Sequence, residues 1–150
     1  MITKVYNLYY NDAYVTTPFG VTSFAIKVLY LSDVTEAIYF EDDLIQAIYV
    51  ETMEQAKSQE LTRNSTDEMS LLQSYTHYEN SYDILFYKVY AEVFDEYTDL
   101  ETPNAQLYRD EVSYIIISKL LPIHFSEYLE LTFAAGIVGI LRSNALFFFC

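Results

Sequence analysis

The chain has 150 residues and suits one compact domain, 1–150, and its 52% hydrophobic and 17% aromatic content can furnish a real core. Its formal charge of −14 is local: between Asp33 and Glu111 nineteen Asp and Glu face four Lys and Arg, giving −15, while the two flanks together come to +1. That charge argues against direct binding to nucleic acid or anionic lipid, whose affinity comes from Lys and Arg neutralising phosphates.

In chain order, residues 1–17 carry β-type content: Val5, Tyr6, Tyr9 and Tyr10 precede Asn11-Asp12, and Ala13 to Thr17 follow. The pattern predicts a hairpin turning at Asn11-Asp12. Pro18-Phe19-Gly20 breaks the chain. Residues 21–31 fit two periods, with Thr22, Phe24, Ile26, Val28 and Tyr30 alternating and Phe24, Ala25, Val28 and Leu29 forming a helical stripe; the reading adopted is a third strand.

From Thr35 the helical period takes over. Ile45, Ile48, Tyr49, Met53 and Ala56 share one face, and Asp43, Glu51 and Glu54 fall on the other. Leu61 to Asp67 reads as a loop, with Ser65 or Thr66 capping a short helix through Met69, Leu71 and Leu72. An amphipathic helix follows, with Tyr82, Leu85, Phe86, Val89, Tyr90, Val93, Phe94 and Tyr97 as its buried stripe. Thr102-Pro103 supplies a capping hydroxyl and a first-turn proline for a helix over Tyr108, Val112, Ile115, Ile116, Leu120 and Leu121, expected at the centre of the core.

Pro122 stops that helix and Ser126 begins the last, where Ala134, Ala135, Gly136 and Gly139 suit close packing. The apolar run Leu131 to Leu141 is shorter than the roughly 17–25 residues a bilayer span needs. Arg142 interrupts the tail Leu131 to Cys150, so a membrane anchor is the weaker reading and a buried helix with a final core segment the stronger. The fold class expected is α+β, mostly helical, with an N-terminal β-hairpin or short sheet before four to five packed helices; an all-α bundle is the alternative.

Catalytic and metal-binding material is sparse. His77 and His124 are the only histidines and Cys150 the only cysteine, too few for a zinc site or a Cys-His nucleophile. His77 is expected at the surface and His124 at a helix start. Gly20, Gly136 and Gly139 cannot form a phosphate-cradling loop. No catalytic residue, metal site or cofactor is assigned, and the chain is not expected to be an enzyme. The lone cysteine and the absence of a secretory signal pattern point to the cytoplasm.

The feature that stands out is a run of carboxylates. Glu92, Asp95, Glu96 and Asp99 recur at i, i+3, i+4 and i+7, with Glu101 just beyond, so they repel one another along a helix face. They also lie towards a helix C-terminus, where the macrodipole disfavours negative charge. By contrast Glu41-Asp42-Asp43 begins a helix, where acids are locally favoured. Glu51 and Glu54 extend the acidic surface, and Tyr75, Tyr78 and Tyr87 are expected to be exposed among the acids as anchors for Lys or Arg. Tyr82, Tyr90 and Tyr97 are expected in the core.

These residues predict a non-enzymatic acidic protein that inhibits a basic, nucleic-acid-handling protein, in the manner of anti-restriction, anti-CRISPR, DNA-mimic or immunity proteins, as a viral or phage antagonist of host defence. That comparison is one of charge and size alone. A helical groove-binding regulator is the second reading: Tyr90 to Glu96 and Phe133 to Gly136 are faintly similar to helical motifs of viral apoptosis regulators, whose Asn-Trp-Gly-Arg segment is absent here. The third is a structural protein that self-assembles through its apolar tail.

Overall fold

The computed structural model describes residues 20–65, 69–98 and 104–147. Six α-helices follow one another: α1 (Gly20–Leu31), α2 (Asp43–Ser58), α3 (Leu71–Asp83), α4 (Ala91–Tyr97), α5 (Asn104–Leu120) and α6 (Phe125–Phe147). Short 3₁₀ turns occupy Val34–Tyr39 and Arg63–Ser65, and a π-helical segment, Ile84–Tyr90, joins α3 to α4. The described residues contain no strand, which overturns the α+β class and fits the all-α bundle. The hairpin expected over residues 1–17 lies outside the described residues.

The third strand expected over residues 21–31 is α1, and it is the central helix. Ala25, Ile26, Val28, Leu29 and Tyr30 are fully buried, and α1 touches α3, α5, α6 and the π segment, α5 most extensively. A helix covered on most sides loses its one-sided stripe, so periodicity cannot separate it from a buried strand. Phe24 is the exception at 59% exposed. The central place was expected of α5, whose Tyr114 is instead 66% exposed and whose Ile115 and Ile117 are only half-buried.

Three polar caps start the segments around this helix. The Asp33 carboxylate accepts from the Thr35 amide at 3.0 Å while Glu36 accepts from the Asp33 amide at 3.3 Å. Asp42 accepts from both Leu44 and Ile45 at the head of α2. Ser70, rather than Ser65 or Thr66, heads α3, its amide donating to Gln73 Oε1 at 3.0 Å. The cap expected at Thr102 lies outside the described residues. Each such cap satisfies amides that have no partner inside the helix and is worth about 0.5–2 kcal/mol.

At its other end α2 closes on Glu60, which adopts φ 56° so that Leu61 N–H reaches Ala56 O at 2.9 Å and Leu61 folds into the core. A glycine ordinarily takes this left-handed position.

Residues 71–97 run as one continuous helix, because Asp83, Ile84, Tyr90 and Ala91 all keep right-handed helical angles. Its buried side chains fall in pairs, Leu85-Phe86, Val89-Tyr90 and Val93-Phe94, four residues apart. An α-helix turns once in 3.6 residues, so a four-residue repeat drifts by about 40° at each step. The wider π turn absorbs that drift and keeps every pair against the core.

α1 and α5 are tied by a buried polar relay. Thr22 donates to Asp110 at 3.0 Å, Ser113 donates to Thr22 at 3.2 Å, and the Tyr90 hydroxyl meets Ser113 Oγ at 3.0 Å. Asp110, when ionised, only accepts, so Thr22 must give it its single hydrogen, and the direction of every later bond follows back to Tyr90 as donor.

α6 was expected to be buried, with Gly136 and Gly139 in close packing. It buries Leu131 and Ala134, while Phe133 and Leu141 face outward, and a β-carbon added at either glycine would meet nothing within 4 Å. No helix among the described residues is long and apolar enough to cross a membrane.

The helical assignment of residues 21–31 has a direct test. Ile26→Ala is expected to cost about 2–5 kcal/mol and Phe24→Ala under about 1 kcal/mol in urea unfolding. On an alternating strand both would share a face, and similar losses would contradict the helix.

Candidate functional site

The acidic ridge is carried by α4, which packs on α2. Glu92, Asp95 and Glu96 are exposed, while Asp99 and Glu101 lie outside the described residues. The π segment decides which way this group faces. With a plain α-helical turn Glu92 would sit about half a turn away from Asp83; the wider turn brings Glu92 and Asp95 towards the solvent side that also carries Glu79, Asp83 and Tyr87, all exposed. Lys88 is exposed in the same stretch.

Asp95 is held by Arg109 of α5, whose guanidinium also lies 5.0 Å from the centre of the Phe94 ring. Arg109 is 11% exposed and Asp95 63%, so the cation is anchored by packing and the carboxylate reaches out from it. Glu51 accepts from Gln55 Nε2 at 2.9 Å, and Glu54 is exposed one turn from it on α2.

The three tyrosines expected at the surface divide. Tyr87 is 60% exposed, with its ring 4.5 Å from that of Phe86. Tyr75 is half-buried against the core. Tyr78 is buried, which corrects the expectation of exposure, and burial pushes its hydroxyl well above the usual range. The cation foreseen for it from a partner is its own Lys27, which lies 5.8 Å from the Tyr78 ring centre and 4.7 Å from that of Tyr128 and donates to Thr132. Burial pushes the Lys27 amine down. Among the tyrosines expected in the core, Tyr90 is fully buried and Tyr82 half-buried, whereas Tyr97 is 40% exposed.

Both histidines are engaged. His77, expected at the surface, is half-buried, with Nδ1 3.0 Å from the Tyr30 hydroxyl. That hydroxyl also donates to Ser74 O at 3.0 Å, and burial pushes its pKa up to about 12. His124, just before α6, pairs through Nε2 with Glu36 Oε1 at 2.8 Å. No group of three or more His, Cys, Asp or Glu among the described residues is arranged to hold a metal ion.

Two concavities indent the surface. One, of 240 Å³, lies between the start of α2 and the second half of α5, and the other, of 510 Å³, runs along α6 beside Leu129, Phe133, Gly136 and Ile137. Neither was foreseen from the sequence.

No protein-family model, curated protein or solved structure matches this chain.

The unequal burial of Arg109 and Asp95 has a measurable consequence. Asp95→Asn is expected to change stability by less than about 1 kcal/mol, as for an exposed ion pair, whereas Arg109→Ala is expected to cost about 1–2 kcal/mol through the lost ring contact and stem packing. Equal losses in urea unfolding would mean that charge pairing alone joins α4 to α5.

Proposed function

We propose that the chain is a non-enzymatic, cytoplasmic binding protein that inhibits a basic, nucleic-acid-handling protein by presenting an acidic, tyrosine-bearing face. The observation that carries this reading is the shared outward side of residues 71–97, where Asp83, Tyr87, Glu92 and Asp95 lie together. The disposition of the bases supports it: Lys27 is held between two tyrosines, Arg109 and Lys119 pair with Asp95 and Glu41, and Arg63 with Glu130. Little positive charge is then left to offset the face.

In mechanism, the carboxylates take the place of nucleic-acid phosphates in a basic channel. Their field accelerates encounter, and their occupancy excludes the true substrate. Such binding weakens with salt, because at about 0.15 M a surface field decays over roughly 8 Å.

The test is affinity capture from host lysate, washed at low and high salt, with a variant carrying Glu92→Gln, Asp95→Asn, Glu96→Gln and Asp99→Asn alongside. The expected result is a basic nucleic-acid enzyme bound at low salt, lost at high salt and bound at least about ten-fold less by the variant. Undiminished capture by the variant rules out the acidic face. Salt-resistant capture of an amphipathic helix favours a groove-binding regulator instead.

A second reading, self-association, is favoured by the apolar outer side of α6, where Phe133 is 66% and Leu129 50% exposed. On that reading sedimentation shows a mass that rises with concentration, and Phe133→Asp returns it to that of one chain. A constant monomer mass for the unaltered protein excludes it.

A further inference from the structure

The 240 Å³ pocket has an apolar floor and a charged rim. Phe40 and Ile45 are nearly fully buried and Ile115 half-buried, while Glu41, Asp42 and Lys119 stand around them. Its floor is braced from behind: the Phe40 ring lies 4.8 Å from that of Tyr49, whose hydroxyl donates to Asp33 O at 2.8 Å. Drug-sized ligands occupy pockets of about 300–1,000 Å³, so this one suits a single side chain.

The rim chooses the neighbours of that side chain. Asp43 is exposed next to Asp42, and Glu111 is exposed one helical turn before Ile115. Tyr108 is influenced by the charges of both Asp42 and Glu111, which places the two carboxylates around one region. The lone lining cation, Lys119, is already engaged with Glu41 at 3.4 Å, and Glu41 is 94% exposed. An exposed pair of this kind contributes little, so an incoming cation can take over Glu41 at small cost.

We infer that this pocket binds one bulky aliphatic or aromatic side chain of a partner segment whose adjacent residues are Lys or Arg. The inference rests on the reading of a basic partner and gives it a point of selection, the long-range field attracting many cationic chains and the pocket retaining those with an apolar anchor.

The test is a titration of the full chain, labelled at its isoleucine methyl groups, with three synthetic peptides followed by NMR. The first has one leucine among lysines, the second alanine in place of that leucine, and the third one leucine among glutamates. The expected result is saturable shifts at Ile45 and Ile115 with the first peptide, at least about ten-fold weaker binding of the second, and none of the third. Glu41→Lys, an exposed change away from the core, is expected to weaken the first peptide by a similar factor. Equal binding of both lysine peptides with Ile45 and Ile115 unmoved overturns the pocket while leaving the basic-partner reading standing. Binding of the glutamate peptide at these methyls overturns the assigned charge preference, and failure of both lysine peptides to bind overturns the basic-partner reading and the pocket with it.

Discussion

The burial of α1 is the constraint around which the other helices are arranged. A twelve-residue helix with five side chains fully covered needs neighbours on nearly every side, and α3, the π segment, α5 and α6 supply them. Thr22 lies on this helix with no exposure, so its hydroxyl would be costly without partners. The relay from Tyr90 through Ser113 and Thr22 to Asp110 removes that cost and fixes how α1, α5 and the π segment stand relative to one another.

Packing and surface charge are coupled through residues 71–97. The spacing of apolar pairs that holds this helix to the core requires the wide turn, and the same turn sets the direction of the carboxylates beyond it. Core geometry thus aims the acidic face. Arg109 works at the same junction, covering Phe94 with its stem side and holding Asp95 outward. Mutual repulsion among the acids is tolerated because the helix beneath them is held by buried contacts rather than by its own propensity.

What could be read from the residues depended on how one-sided each environment is. α2 has a buried and a wet face, and Ile45, Ile48, Tyr49, Met53 and Ala56 were recognisable by period as its inner side. α1 was not, because burial around its circumference makes strand and helix patterns coincide; its length of twelve, long for a strand, was the better signal. The turn at Glu60 carries no glycine to announce it, and Tyr78 gave no local sign that Lys27, fifty-one positions earlier, would cover it. The four-residue spacing of Leu85-Phe86, Val89-Tyr90 and Val93-Phe94 was visible in the letters and implied a turn wider than an α-helix. Of the expected site, Glu92, Asp95, Glu96, Glu54 and Tyr87 are exposed, because acids and an outward tyrosine need no distant partner to define their place. The 240 Å³ pocket joins residues from two separated helices, and no local pattern encodes it.

The π segment also makes this helix sensitive to chain length in an unusual way. In most surface helices losing one residue scrambles contacts on both sides of the gap. Here, shortening residues 84–90 by one would convert the wide turn to an ordinary one and swivel everything after it by about a quarter of a turn or more. The acids of α4 would then point along a new bearing while their number and order stayed the same. The orientation of charge on this protein is therefore recorded in the count of residues between two buried pairs, and related chains differing by a single insertion there would present the same residues to a different quarter of space.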